Sequence, residues 1–311
     1  MNSPKVSILI PVFNRKDYIA KCIQSALDQT YTDFEVVVVD NASDDGTWEI
    51  CQQFVAADQR VRIFRNESNI GPVRNWIRCA QEAKGALSKI LFSDDSLEPN
   101  CLCEMVPKLD GSEVGLVYCA ARIGKSRDES VIAYSQADSS RLSSTHFLNL
   151  VLSGKAPVSP GAVLIRTHDL LKNLHTTFPT STPRQFEKNG AGPDVMTLLL
   201  TAHNYPYVAN VEMPLAYFRA HAGSFSIENS NNEVSKGYRS AIALFLNKSI
   251  DRKAWINYLA YGWLQEIKLY RSWRSPVVYM IEYEGRGSLT EIVTLLFHAF
   301  KHVAVKITEK L

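Results

Sequence analysis

Apolar residues near the amino terminus come in short runs that alternate with helical spacings, the mark of βα units. "VSILIPV" (6–12) is an apolar run rich in β-branched residues. A polar "NRKD" follows, then Ile19, Cys22, Ile23, Ala26 and Leu27, spaced as one face of a helix. The pattern repeats with "FEVVVVD" (34–40), the loop "NASDDGT", and a helix carrying Trp48, Cys51, Phe54 and Val55 on one side. A third strand, "VRIFRN", passes through "ESNIGPV" to a helix with Val73, Trp76, Ile77 and Ala80, and a fourth, "KILFSDD", closes the series. Four such units predict an α/β fold with an open, mostly parallel central sheet flanked by helices.

Ligands of such sheets bind beyond the carboxyl ends of the strands. The polar residues gather there: Asn14 and Arg15 after strand one, Asp40 and Asn41 after strand two, Asn69, Gly71 and Arg74 after strand three, Asp94 and Asp95 after strand four. Asp and Asn also favour turns and N-caps, so one such residue means little. Four loops with the same bias on one rim predict a binding site. Adjacent carboxylates beside a phosphate make an oxygen-donor site for Mg²⁺ or Mn²⁺, and the metal removes the cost of the like charges. After strand one stands "PVFNRKDY", with neither GxGxxG nor a Walker loop, which disfavours NAD enzymes and P-loop NTPases.

The ordered set "VSILIPVFNR", "CIQSALDQTYTDFEVVVVDNASDDGT", "NIGPVRNW" and "ILFSDDSLEP" resembles the family 2 glycosyltransferases, inverting nucleotide-sugar-dependent enzymes with the GT-A fold. The resemblance covers about the first hundred residues. It continues more weakly to about residue 226, where "GPDVMTLLLTAHNY" and "PLAYFRAHAGSFS" resemble the family's catalytic-base helix and its following strand. It implies a Rossmann-like GT-A domain with a nucleotide-sugar half (1–115), an acceptor half (116–225) and a C-terminal helical extension (226–311).

Residue by residue, the resemblance implies that the Pro11 to Asn14 segment, with Phe13, and Asp40 hold the nucleobase and ribose, and that Arg15 and Asn41 belong to the same nucleotide-sugar site. Asp40 suits this, since a carboxylate accepts the imide N–H of uracil; capping the next helix is the other role open to it, although Ser43 is better placed for that. Asn69, Gly71, Arg74 and Ser93 complete the nucleotide-sugar site. In the DxD motif the last Asp contacts the metal, and that position is Asp94, with Asp95 facing the metal or the sugar. Phe92 replaces the first Asp of the triplet. Asp194 matches the Asp of the family's Glu-Asp pair, with Pro193 in place of the Glu, and is the candidate base; a helix-dipole role would also explain its position. His221 stands where some GT-A enzymes supply a third metal ligand, which leaves it open between ligand and structural histidine. Arg219 is open between a diphosphate contact and pairing with the acidic rim.

Composition narrows the reading further. The 311 residues are 46% hydrophobic and 21% charged, ordinary for a soluble globular chain, and a net charge of +2 carries no nucleic-acid footprint. No apolar run approaches the roughly 18 residues of a membrane span. The start "MNSPKVSILIPVF" has a single Lys and too short an apolar stretch for a signal peptide, so a cytoplasmic location is expected. Six cysteines without metal or CxxC spacing read as buried free thiols. A hydrolase is disfavoured because no second carboxylate stands out near Asp194.

The stretch "TTFPTSTPRQFEKNGAG" (176–192) is polar and punctuated by Pro and Gly, and is expected to be a loop over the site. Beyond residue 226, "SKGYRSAIALFLNKSI" and "AWINYLAYGWLQEIKLYRSW" carry thick apolar stripes for packing on the core or on a second subunit, a homo-oligomer contact. "SLTEIVTLLFHAFKHVAVKITEKL" begins with a Ser288/Glu291 capping box and has Ile292, Leu295, Leu296, Ala299, Val303 and Ile307 on one face. Lys301, His302, Lys306 and Lys310 gather toward its end, and residues 226–311 hold 12 Lys/Arg against 8 Asp/Glu. Such a helix suits the anionic surface of a membrane, or ordinary packing within the chain.

The processive-synthase motif QxxRW is absent, which favours one transfer per encounter. The expectation is an inverting, Mn²⁺- or Mg²⁺-dependent transferase that moves a hexose or N-acetylhexosamine from a UDP-sugar to a glycan, such as a lipid-linked O-antigen or capsule unit. The alternatives are a dTDP- or GDP-sugar donor, or a nucleotide-sugar-binding protein without activity, kept open by Phe92 and Pro193.

Overall fold

The computed structural model describes residues 3–109, 111–135, 141–221, 233–248, 252–270, 273–285 and 288–308. The four βα units form as the periodicity requires: β1 (Val6–Val12), α1 (Ile19–Leu27), β2 (Phe34–Asp40), α2 (Thr47–Ala57), β3 (Val61–Arg65), α3 (Pro72–Glu82) and β4 (Leu87–Ile90). β1 and β2 are buried on both faces, which is why they read as continuous apolar runs. Within them Ile8 and Ile10 face the helix layer of α1, and Leu9 faces the layer of α3.

The acidic end of the fourth run is not strand. β4 stops at Ile90, and Asp95 N–H donates to Phe92 O at 2.9 Å, so Phe92 to Asp95 form a tight turn. The sheet continues through β5 (Ser96–Leu97), β6 (Val114–Gly124), β7 (Ser130–Ala133), β8 (Arg141–Ser143), β9 (Val163–Arg166) and β10 (Tyr207–Arg219). Among the described residues its ten strands follow the order β3-β2-β1-β4-β9-β6-β10-β5, with β7 beside β6 and β8 beside β10.

β1 pairs in parallel with β2 and β4, β2 with β3, and β6 with β10. β9 lies antiparallel between β4 and β6. Two antiparallel steps restore direction, so β10 points the same way as β1, β2 and β4. Its carboxyl end at Arg219 therefore reaches the rim that carries the loops after β1, β2 and β4.

The remaining helices are α4 (Cys101–Met105), α5 (Ser144–Leu152), α6 (Thr167–Asn173), α7 (Phe186–Asn189), α8 (Pro193–His203), α9 (Glu233–Lys248), α10 (Arg252–Tyr270), α11 (Pro276–Glu282) and α12 (Leu289–Thr308). One buried apolar cluster joins α3, α8, α9, α10 and α12 to the sheet through Val195, Leu198, Phe245, Trp255 and Leu295. The extension thus packs on the same face as α8.

The expected capping box is present: Glu291 N–H donates to Ser288 Oγ at 3.3 Å and Ser288 N–H to Glu291 Oε2 at 3.4 Å. Ser43, by contrast, caps no helix. Its Oγ accepts from Asn14 N at 2.9 Å, and Asp45 supplies the acceptor for Thr47 N–H at 3.0 Å. Five of the cysteines are buried free thiols as expected, but Cys103 is exposed.

Candidate active site

The loops after β1 and β2 are laced together. Asn14 adopts a left-handed conformation, φ 50°, and its side chain exchanges hydrogen bonds with Asp44: Nδ2 to Asp44 Oδ1 at 2.9 Å, and Asp44 N to Asn14 Oδ1 at 3.1 Å. Asn is among the few residues that tolerate this backbone. Arg15 N–H donates to Thr47 Oγ1 at 2.8 Å. Pro11 is buried within β1, whereas Phe13 is exposed at the mouth of the rim.

Asp40 is fully buried. Its oxygens accept Ser43 N–H at 3.2 and 3.3 Å, and Arg65 Nε lies 3.2 Å from Oδ2. The Arg65 guanidinium also covers the Trp48 ring at 5.3 Å. Arg65 therefore sits over the carboxylate expected to meet a base.

Asn41 departs further from expectation. Its Nδ2 donates to Asn69 Oδ1 at 2.8 Å and Gly71 O at 3.4 Å, while its Oδ1 accepts from Asn66 Nδ2 at 2.8 Å and Ile70 N at 3.0 Å. Two donors and two acceptor positions are the whole capacity of an amide. The Asn41 side chain, with Asn69, fixes the loop before α3 and has nothing left for a ligand. Gly71 begins that helix at φ 83°, a backbone that glycine adopts without strain. Arg74, one turn on, pairs with Glu187 of α7 at 3.0 Å. The polar stretch 176–192 is thereby tied to α3, and Arg184 ties it to Glu282 of α11. The expected loop is real but is interrupted by α7.

At the end of β4 the like charges diverge. Ser93 and Asp95 sit in the turn; Asp95 Oδ1 accepts Arg219 N–H at 2.9 Å. Burial and then the neighbouring Asp94 charge push the Asp95 carboxyl well above the usual carboxylate range. Asp94 faces the other way: its Oδ2 is 3.0 Å from His221 Nε2 and 3.8 Å from Arg15 Nε. Arg219 Nε donates to Asp94 O at 3.2 Å, so Arg219 pairs with the acidic turn through backbone and side chain alike.

The His221 ring is held by stacking on Tyr18, centroids 4.7 Å apart at 26°. Tyr18 escaped sequence reasoning, since neither periodicity nor motif marks it. Among the described residues no three His, Cys, Asp or Glu side chains are grouped to hold a metal ion. What exists is the Asp94–His221 pair, an oxygen and a nitrogen donor that suit Mn²⁺ if substrate oxygens and water supply the other positions.

Phe92 replaces an acid with an aromatic ring that packs 5.5 Å from the Trp76 centroid. It packs, half-buried, against the apolar cluster that contains Trp76.

Asp194 opens α8 and is buried. Oδ1 accepts Gly192 N–H at 2.9 Å and Val195 N–H at 2.7 Å, and Oδ2 accepts the Tyr238 hydroxyl at 2.7 Å. Burial outweighs these bonds and pushes its carboxyl up to about 7. A carboxylate poised there exchanges protons near neutrality, as a general base must.

The model for glycosyl transferase family 2 matches residues 7–173. The chain belongs to glycosyl transferase family 2. Asp194, His221 and Tyr238 lie beyond the matched residues. Among curated relatives, EpsH of Bacillus subtilis is 32% identical over 161 residues, 50% of this chain and 45% of that protein. The glycosyltransferase GlyG of Streptococcus pneumoniae is 30% identical over 115 residues, covering 37% of this chain and 38% of that protein. The chondroitin synthase of Escherichia coli is 41% identical over 100 residues, 32% of this chain and 14% of that protein. The chain thus spans less than half the length of these relatives.

In fold, Staphylococcus aureus TarS 1–349, solved with UDP-GlcNAc, is similar at TM-score 0.62 and 18% identity, covering 83% of this chain and 71% of that one. The mannosyltransferase PcManGT of Pyrobaculum calidifontis, solved with GDP-Man and Mn²⁺, follows at TM-score 0.51 and 18% identity, covering 98% and 75%. The central sheet with its flanking helices is therefore the GT-A arrangement.

Proposed function

We propose that this chain is an inverting glycosyltransferase that moves one hexose or N-acetylhexosamine from a nucleotide sugar to a hydroxyl of a glycan acceptor. The observation that carries this reading is the meeting of Asp94, from the turn after β4, with His221, from the end of β10, at 3.0 Å. A divalent cation bound by this pair would supply charge stabilisation for the departing nucleoside diphosphate. Residues 1–115 form the donor half and residues 116–225 the acceptor half. Asp94 and His221 would hold the Mn²⁺ or Mg²⁺, and Asp95, which accepts Arg219 N–H at 2.9 Å, braces Arg219. Asp194 takes the proton from the attacking hydroxyl. Phe13, exposed beside Asn14, offers a face to the base, and Asp40 meets the base only when Arg65 swings aside.

UDP is the preferred nucleotide, in keeping with the UDP-GlcNAc complex of TarS. The GDP-Man complex of PcManGT keeps a GDP-sugar as the second reading. The acceptor is a lipid-linked saccharide of the O-antigen or capsule type, used in the cytoplasm at the inner face of the membrane. No helix among the described residues is long and apolar enough to cross a membrane, and the contact in this reading is with the membrane surface. α12 supports that part of the reading. Its expected apolar face, Leu295 and Ala299, is buried within the chain, yet a second stripe of Leu289, Val293, Phe297 and Phe300 is exposed.

The test is calorimetric titration with UDP-, dTDP- and GDP-sugars, with and without Mn²⁺, beside Asp94→Asn. Metal-dependent binding of one nucleotide sugar, lost in the variant, is the expected result; no binding under any condition overturns the reading. If binding persists without turnover in the presence of candidate acceptors, the chain is a nucleotide-sugar-binding protein.

A further inference from the structure

Four consecutive residues of α9 each grip a different part of the site's surroundings. Gly237 lies so close to the 190–194 turn that an added Cβ would fall 2.4 Å from Ala191 O, so glycine is required for this approach. Tyr238 reaches Asp194 Oδ2 at 2.7 Å. Arg239 pairs with Glu266 of α10, and Ser240 Oγ accepts Arg184 Nε at 3.2 Å from the polar loop. The extension is therefore seated on the base from one side while Gly192 and Val195 hold it from the other.

We infer that Tyr238 is a positioning residue of the reaction: its hydroxyl fixes the orientation of the Asp194 carboxylate, so that the C-terminal extension completes the catalytic site. The inference rests on the reading of Asp194 as the base. A hydroxyl on Oδ2 leaves that oxygen one lone-pair direction for an acceptor hydroxyl and stops the carboxylate from rotating. It also opposes burial, since a donated hydrogen bond favours the charged form. The donor cannot become an anion near neutrality, because burial and the Asp194 charge push the Tyr238 phenol well above its ordinary value. Behind it Tyr134, after β7, is likewise raised by burial. Among the described residues, Tyr238 and the backbone N–H groups of Gly192, Val195 and Asp194 itself act on the Asp194 carboxyl, and Tyr134 acts on Tyr238.

The test uses the full chain labelled at the aspartate side-chain carbon. The Asp194 resonance, assigned by its loss in Asp194→Asn, is titrated in the parent, Tyr238→Phe and Tyr134→Phe proteins. Tyr238→Phe removes one oxygen and should leave the fold intact by circular dichroism. Its Asp194 midpoint should rise by roughly one pH unit, the worth of a hydrogen bond to a charged group, while Tyr134→Phe leaves the midpoint in place. The acid limb of nucleotide-sugar turnover should move up with it, with donor KM unchanged. An unmoved midpoint in Tyr238→Phe, or an equal shift in Tyr134→Phe, overturns the inference while leaving the base reading intact. Full turnover in Asp194→Asn removes the base reading itself, and the positioning role with it.

Discussion

His221 Nε2 lies 3.0 Å from Asp94 Oδ2 although 127 residues separate them in the chain. The pairing exists because β10 runs in the direction of β4 after the antiparallel insertion of β9, which brings both carboxyl ends to one rim. If the pair holds a divalent cation, Asp94→Asn and His221→Ala should each weaken Mn²⁺-dependent donor binding by at least about tenfold, some 1.4 kcal/mol. In excess EDTA the order reverses for Asp94→Asn, because removing a carboxylate relieves its repulsion of the diphosphate. Calorimetry in the two conditions checks both signs. Equal affinity of parent and variants in Mn²⁺ would remove the pair from the metal site.

Read as the base, Asp194 couples catalysis to stability. Its folded carboxyl is raised to about 7, so between the ordinary carboxylate value and 7 the folded chain holds a proton that the unfolded chain has lost. Stability from this group therefore falls as pH rises through that window, by an amount on the order of 4 kcal/mol once fully developed. Asp194→Asn should raise the melting temperature at pH 8 and leave it nearly unchanged at pH 4.5. Turnover moves the other way: a base active as carboxylate loses rate tenfold per unit below about pH 7, and the Asn variant should lose roughly 10²–10⁴-fold. Melting curves and rates at the two pH values separate a catalytic group from a helix-dipole charge, whose removal leaves turnover in place.

Asn41 belongs to the architecture of the rim. With four hydrogen bonds from one buried amide, Asn41→Ala strands Asn66, Asn69 and the Ile70 N–H. The expected cost is about 2–3 kcal/mol by urea unfolding, with the preference among UDP-, dTDP- and GDP-sugars unchanged. A change in nucleotide preference at unchanged stability would restore Asn41 as a ligand contact.

This residue also marks where sequence reasoning stops. Strand periodicity located β1, β2 and β3 closely because both faces of the first two are buried and turn chemistry follows each run. The carboxylates of the fourth run fell into a turn because a buried strand cannot carry two adjacent charges, one of which would face each helix layer. Asn41, Asn69 and Gly71 were legible as rim residues, since their position follows from topology. Whether an amide there serves a ligand or a neighbouring loop depends on contacts 25 to 30 residues away, which no local pattern records. Tyr18 and Tyr238 were invisible for the same reason: each acts on a partner from another element, His221 and Asp194. α11 was missed because seven residues give too few turns for a period.

The second face of α12 gives the last prediction. Leu289, Val293, Phe297 and Phe300 follow the spacing of one helical stripe and are 77, 58, 66 and 73% exposed, and Trp273, 73% exposed, precedes α11. Burial, and then Lys301 and Lys253, lower the affinity of His298 for a proton, which places two lysines beside this helix. His302 and Lys306 have side chains outside the described residues, as does Lys310 altogether. An apolar stripe with flanking lysines and an aromatic residue fits an anionic lipid surface better than a neutral one. The chain should sediment with phosphatidylglycerol-containing vesicles and weakly with pure phosphatidylcholine. Phe297→Ser with Phe300→Ser should abolish this without lowering the melting temperature, since neither ring is buried, and Lys301→Glu should reduce it in a salt-dependent manner. If the parent ignores both vesicles but forms a dimer by sedimentation velocity that the serine variant loses, the stripe covers a second copy of the chain and the membrane reading fails.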